Sequence, residues 1–241
     1  MLLANVRPPP LALNEGNIPD QEPFVLVMNH YDRPGVGAWW GPMVLMRSVA
    51  ARRRREPREL NFVVAREWWY PRGPGRAVKQ PLTRWFFGRL AKTYGLVLVP
   101  PVVESDALRG QGVVAVRRAI RLTGSANPKL VCIAPEGRTG PHQTLCEPPR
   151  GAGIFLMLLT HGALPCLPAG ISEREEHTLA VNFGPPFHLH VDRTRSRAEQ
   201  DAAAARQVMV EIGKTLPERM WGVYHEDIAK AQAALVARPD F

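Results

Sequence analysis

The side chains best suited to chemistry stand at the ends of two apolar runs. Phe24-Val-Leu-Val-Met28 is followed by Asn29-His30, and Leu130-Val-Cys-Ile-Ala134 is followed by Pro135-Glu-Gly-Arg-Thr139. A histidine titrates near neutrality, so a neutral His30 can take a proton from a hydroxyl as general base. Asp32 is the nearest carboxylate in sequence and has two readings. It orients the imidazole, or it caps the turn ahead of Pro34. In the second group Glu136, Gly137, Arg138 and Thr139 are candidates for binding a substrate. A guanidinium suits two-point contact with phosphate, and the plainer reading of Glu136 and Arg138 is a loop ion pair of little worth.

Other polar groups carry less. His188 and His190 alternate along one strand face, and His142 and Cys146 are four apart. Neither pair has the third converging ligand that a metal needs, so no metal is expected. Cys132, Cys146 and Cys166 are odd in number and widely spaced, which fits a reducing cytoplasm better than a disulfide framework. Arg52, Arg53, Arg54 and Arg55 form a basic run at the end of a helical stretch. They are either a solvated helix end or a docking site for anionic lipid. Trp39-Trp40, Trp68-Trp69 and Trp85-Phe86-Phe87 suit an interface, an acyl pocket or a core. Run and aromatics together favour contact with a membrane surface.

These groups need a scaffold. Continuous apolar runs at 24–28, 61–65, 96–99, 130–134 and 166–171 read as strands buried on both faces. Between them, helical stretches are expected over 38–53, 82–94, 107–122, 152–160 and 197–216, with another from about Glu226. A further strand is expected at 179–183. The alternation implies one α/β domain over 23–241, with a mostly parallel, mixed sheet and helices on both faces. Residues 1–22 are an irregular, proline-rich lead-in, a strand or a loop at best. In such sheets ligands bind beyond the carboxyl ends of the strands, where His30 and Glu136 to Thr139 stand.

Charge narrows the partners. Thirty-one Lys and Arg against 22 Asp and Glu give a net charge of +9, which favours an anionic partner. No nucleic-acid-binding motif accompanies it, so nucleic acid is disfavoured. Gly151 to Ser172 lacks charged residues but contains Gly162, Pro165 and Pro168, and reads as a buried helix entering a buried strand. No signal peptide is expected, so membrane association would be peripheral, at the cytoplasmic face.

Met28-Asn-His-Tyr-Asp32 resembles the first block of the lysophospholipid (glycerolipid) acyltransferase superfamily, the family of the 1-acylglycerol-3-phosphate acyltransferases. There a strand ends in Asn-His, and an Asp follows after four intervening residues. Pro135-Glu-Gly-Arg-Thr139 is similar to the family's Pro-Glu-Gly-Thr-Arg, with the last two exchanged. Gly162-Ala-Leu-Pro-Cys-Leu-Pro168, Asn182-Phe-Gly-Pro-Pro-Phe187 and the stretch Met209 to Tyr224 resemble its later blocks, in the same order. The family's Asp position is Gly35 here, and the Arg of its second block has no counterpart in Tyr94 to Pro101.

The resemblance implies an enzyme of phospholipid biosynthesis. It would move a fatty acyl group from acyl-CoA or acyl-carrier protein to a lysolipid or alcohol hydroxyl. His30 would be the base, Glu136 to Thr139 would lie at the acceptor, and no bound cofactor would be needed. The alternative is a non-catalytic lipid- or acyl-binding member that has lost the catalytic Asp.

Overall fold

A computed structural model of the chain describes residues 8–54, 60–67, 73, 75–99, 112–174 and 177–236. The apolar runs form one sheet of seven strands. These are β1 (Leu11–Leu13), β2 (Val25–Met28), β3 (Leu60–Ala65), β4 (Val97–Val99), β5 (Leu130–Ile133), β6 (Cys166–Glu173) and β7 (Leu179–Phe183). Their order across the sheet is β1-β7-β6-β2-β5-β3-β4. The strands β6, β2, β5, β3 and β4 run parallel, while β7 pairs antiparallel with β6 and parallel with β1. The expected mixed, mostly parallel sheet is the one observed.

The helices are α1 (Trp40–Arg53), α2 (Arg76–Tyr94), α3 (Gly112–Thr123), α4 (Ala152–Thr160), α5 (Arg197–Gly213) and α6 (His225–Val236). Gly41 in α1 lies against the Ile171 side chain, whereas the neighbouring Gly170 faces Thr215 and Leu216 just beyond α5. Successive strand residues point to opposite faces, so α1 and α5 cover opposite sides of the sheet. That double cover is why β2 needs no polar alternation: Val25, Leu26 and Val27 are fully buried.

The lead-in contributes an edge strand, β1, which pairs with β7. Two expectations change. Helix α2 begins at Arg76 rather than Leu82 and runs through Pro81. Its early part is held by side-chain bonds, Arg76 to Gln80 at 3.1 Å and Arg84 to Glu67 at 2.7 Å. Helix α5 ends at Gly213, three residues early. Of the stretch 107–122, residues 107–111 lie outside those described.

Within the basic run, Arg53 is not placed for lipid contact. It is buried and donates to the carbonyls of Pro19 and Glu22 at 2.8 and 2.9 Å and of Gln21 at 3.2 Å. Its guanidinium also lies 5.7 Å from the centre of the Phe24 ring. For Arg53 the expectation changes because its partners are backbone carbonyls more than thirty residues upstream, which side-chain patterning does not mark. Arg52 is exposed and pairs with Asp20 at 2.6 Å, and Arg54 forms the left-handed cap of α1. Arg55 lies outside the described residues, as do Trp68 and Trp69. Trp39 is exposed, while Trp40 packs on the core.

Candidate active site

The parallel strands β2, β5 and β6 end side by side, and the chemistry-bearing residues follow those ends. Asn29 extends β2 by imitation. Its side-chain amide donates to the Ile171 carbonyl at 2.9 Å and accepts from the Ile171 N–H at 2.7 Å. This buried pair fixes the point at which the chain leaves the sheet, and His30 comes next.

Beyond β5 the chain turns back sharply, with the Gly137 N–H on the Ala134 carbonyl at 3.1 Å and Gly137 in the left-handed region. The turn sends Glu136 inward, only 1% exposed. One carboxylate oxygen accepts from the His30 N–H at 2.9 Å, the other from the Cys146 N–H at 2.8 Å. Burial pushes the carboxyl up to about 7, against the pull of those two N–H groups and Arg138. Glu136 therefore ties the loops after β2 and β5 together. Its oxygens are engaged by the backbone and not by a free acceptor site.

The same turn brings Thr139 to the imidazole. Its hydroxyl oxygen lies 2.8 Å from His30 Nδ1, and the hydroxyl donates to a carboxylate oxygen of Asp32. With that hydrogen committed to Asp32, the oxygen is left to accept, so Nδ1 carries the ring proton. The lone pair then sits on Nε2, the nitrogen available as a base. Burial holds the imidazole below its usual 6.5, and the charge of Asp32 opposes this. Near pH 7 the ring is neutral.

The Asp32 carboxylate thus reaches His30 through Thr139. Position 35 explains why no carboxylate comes from there. Arg33 and Val36 exchange backbone hydrogen bonds of 3.0 and 2.9 Å, closing a tight turn over Pro34 and Gly35. Gly35 has φ +86°, a conformation that costs an Asp more than a glycine. Arg33 pins this turn to the end of β6, with Nε 2.8 Å from Glu173 Oε1. The Tyr31 hydroxyl lies with that pair, and burial, then the Glu173 charge, raises its pKa. The Arg33–Glu173 clamp had no signal in the sequence, since its members lie 140 positions apart.

Other candidates stay apart from this cluster. The Arg138 side chain is exposed at the rim of the turn. Cys132 and Cys166 are buried in the sheet with their thiols raised, Cys166 to about 12. Cys146 is also buried, and its thiol, raised by burial and then by Glu136, donates to the Arg138 carbonyl. His188 and His190 are exposed, their backbone tied to Gln207. Among the described residues, no three His, Cys, Asp or Glu converge as metal ligands. A cavity of about 910 Å³ opens at the β1–β7 edge, lined in part by Leu11, Glu173, Lys214 and Arg219, and His30 is not among its walls.

Among solved structures the chain is similar to the 1-acyl-sn-glycerophosphate (LPA) acyltransferase PlsC from Thermotoga maritima. The identity is 15% and the TM-score 0.45, over 96% of this chain and 73% of that one. No family model and no curated protein matches the chain. No helix among the described residues is long and apolar enough to cross a membrane.

Proposed function

We propose that the chain is an acyltransferase that moves a fatty acyl group from an acyl thioester to a hydroxyl of a glycerolipid-like acceptor. The thioester is that of coenzyme A or acyl-carrier protein, and His30 is the general base. The observation that carries this is the chain of contacts His30 Nδ1 to Thr139 to Asp32, which leaves Nε2 as the basic nitrogen. Nε2 takes the proton as the acceptor oxygen attacks the thioester carbonyl. The C–S bond then breaks, and the imidazolium returns the proton to the departing thiolate, releasing a free thiol. Asp32, acting through the Thr139 hydroxyl, stabilises the imidazolium in between.

Direct transfer, without an acyl-enzyme, is supported by the state of the three cysteines, all buried with raised pKa values. The order of the sequence blocks from His30 to Tyr224 supports a lipid acceptor. Arg138, exposed beside the turn that carries Thr139, is the cation suited to an anionic headgroup.

The test is release of free thiol from acyl-CoA against a panel of lysolipids and alcohols, with wild type, His30→Ala and Arg138→Ala. Turnover by wild type and its loss in folded His30→Ala is the expected result. Arg138→Ala should raise KM for a phosphorylated acceptor and leave a neutral alcohol unaffected. Tight binding of acyl-CoA with no thiol released on any acceptor would sink the proposal and leave an acyl-binding protein.

A further inference from the structure

Helix α2 turns several large apolar side chains out to solvent, while Phe87 and Leu90 are half-buried. Its buried residues are Gln80, Thr83 and Ala91. Val78, Leu82, Trp85 and Phe86 are 71%, 58%, 63% and 45% exposed. Their spacing of i, i+4, i+7 and i+8 aligns them on one outward stripe. Arg89 continues that stripe with its guanidinium 5.9 Å from the centre of the Trp85 ring, and Lys92 follows on the same side. The helix carries five Arg and Lys and no Asp or Glu.

Its placement gives the stripe a direction. Arg84, near the middle of α2, holds Glu67 at 2.7 Å, and Glu67 is two residues beyond the carboxyl end of β3. The middle of the helix is thus level with the rim where the strands end. The turns carrying Val78 and Leu82 precede it, on the His30 side of the sheet. An apolar ridge with cations behind it stands at the edge of the rim that holds His30 and Thr139.

We infer that the outward face of α2 docks on an anionic lipid surface, with Leu82, Trp85 and Phe86 entering the headgroup boundary and Arg89 and Lys92 meeting lipid phosphates. Exposed aromatic and aliphatic residues flanked by cations suit the headgroup boundary of an anionic membrane. Charge argues against a second copy of the chain as occupant, because two such faces would bring Arg89 and Lys92 of both copies together with no acidic residue on either helix. Docking by α2 does not depend on acyl transfer being the reaction.

The test uses the whole chain with Leu82→Cys carrying an environment-sensitive dye. The native cysteines are all buried, so the label goes to position 82. Phosphatidylcholine vesicles containing phosphatidylglycerol should shift the dye to an apolar signal, phosphatidylcholine alone should do so far less, and added salt should weaken the response. Trp85→Ser with Phe86→Ser should lower vesicle affinity by about tenfold or more. Its thermal unfolding and its turnover of a water-soluble acceptor should match wild type.

A dye that stays in water while the protein binds vesicles would overturn the inference. So would a double variant that binds as wild type does. A concentration-dependent dimer that the double variant loses, without any response to lipid, would give the face to a second copy. Loss of turnover in His30→Ala bears on the reaction alone, so the two proposals fail separately.

Discussion

His30 and Thr139 lie 109 residues apart in sequence, and their side chains meet at 2.8 Å. In the proposed mechanism the contact makes Thr139 a positioning residue, because its hydroxyl joins the imidazole to Asp32. Thr139→Val keeps the shape and removes the hydroxyl. It should lower kcat by about 10²-fold or more with KM little changed. Thr139→Ser should restore most of the loss. Nitrogen NMR of His30 should report the Nδ1–H tautomer in wild type and in the Ser variant, and a mixture in the Val variant. Wild-type turnover and a pure Nδ1–H tautomer in Thr139→Val would remove Thr139 from the mechanism.

The pH profile follows from the same geometry. A base works when deprotonated, and burial holds the His30 pKa below 6.5. The acid limb of kcat/KM should therefore fall below pH 6.5, with a plateau through neutrality. Asp32 raises this pKa, so Asp32→Asn should move the limb to still lower pH while lowering the plateau. A limb that stays in place in Asp32→Asn would mean that the charge of Asp32 does not reach the ring.

Glu136 makes a different prediction, about stability. Its carboxyl rises from 4.5 to about 7 on folding, so the folded state holds a proton that the unfolded state releases between those values. A raised acid contributes stability below the unfolded pKa and loses it as pH climbs through the folded one. The loss across pH 4.5 to 7 is about 3 kcal/mol for this group at 1.36 kcal/mol per unit. Urea unfolding at pH 5 and pH 7.5 should show a smaller difference in Glu136→Gln than in wild type. Parallel profiles would mean that Glu136 is ionised throughout.

Arg53 is a structural prediction. Removing its guanidinium leaves the carbonyls of Pro19, Gln21 and Glu22 without their donor. Arg53→Ala should cost about 2–4 kcal/mol in urea unfolding. Arg52→Ala, which breaks an exposed pair with Asp20, should cost less than about 1 kcal/mol. Equal effects of the two would return Arg53 to the surface.

The sheet was legible because its strands are short apolar runs bounded by turn residues. Helix α4 and strand β7 came out with the bounds the sequence implied. Local pattern also marked the two strand ends where His30 and Glu136 stand. It could not say what those side chains touch. Glu136 suited an acceptor site by type, yet its oxygens are taken by backbone N–H groups, one of them 106 residues away. Thr139 suited the same site and instead joins His30 to Asp32. Both outcomes depend on the register that sets β2 beside β5, which no single segment encodes. Helix α2 was read short because Pro81 marks a helix start as readily as an interior position, and Glu67, which anchors α2 through Arg84, lies before it in the chain.

The Pro34–Gly35 turn bears on how the site can change over time. Every glycine codon is one base from an Asp or a Glu codon, so a carboxylate at position 35 is one mutation away. At φ +86° that residue would strain the turn, and the turn is locked at its flanks by Arg33 and Val36 and to β6 through Glu173. A carboxylate from position 35 would have to bear that strain, because the flanking bonds hold the turn in place. While this turn stands, the hydroxyl at position 139 is what joins Asp32 to the imidazole, so a Ser is the replacement for Thr139 that keeps the bridge.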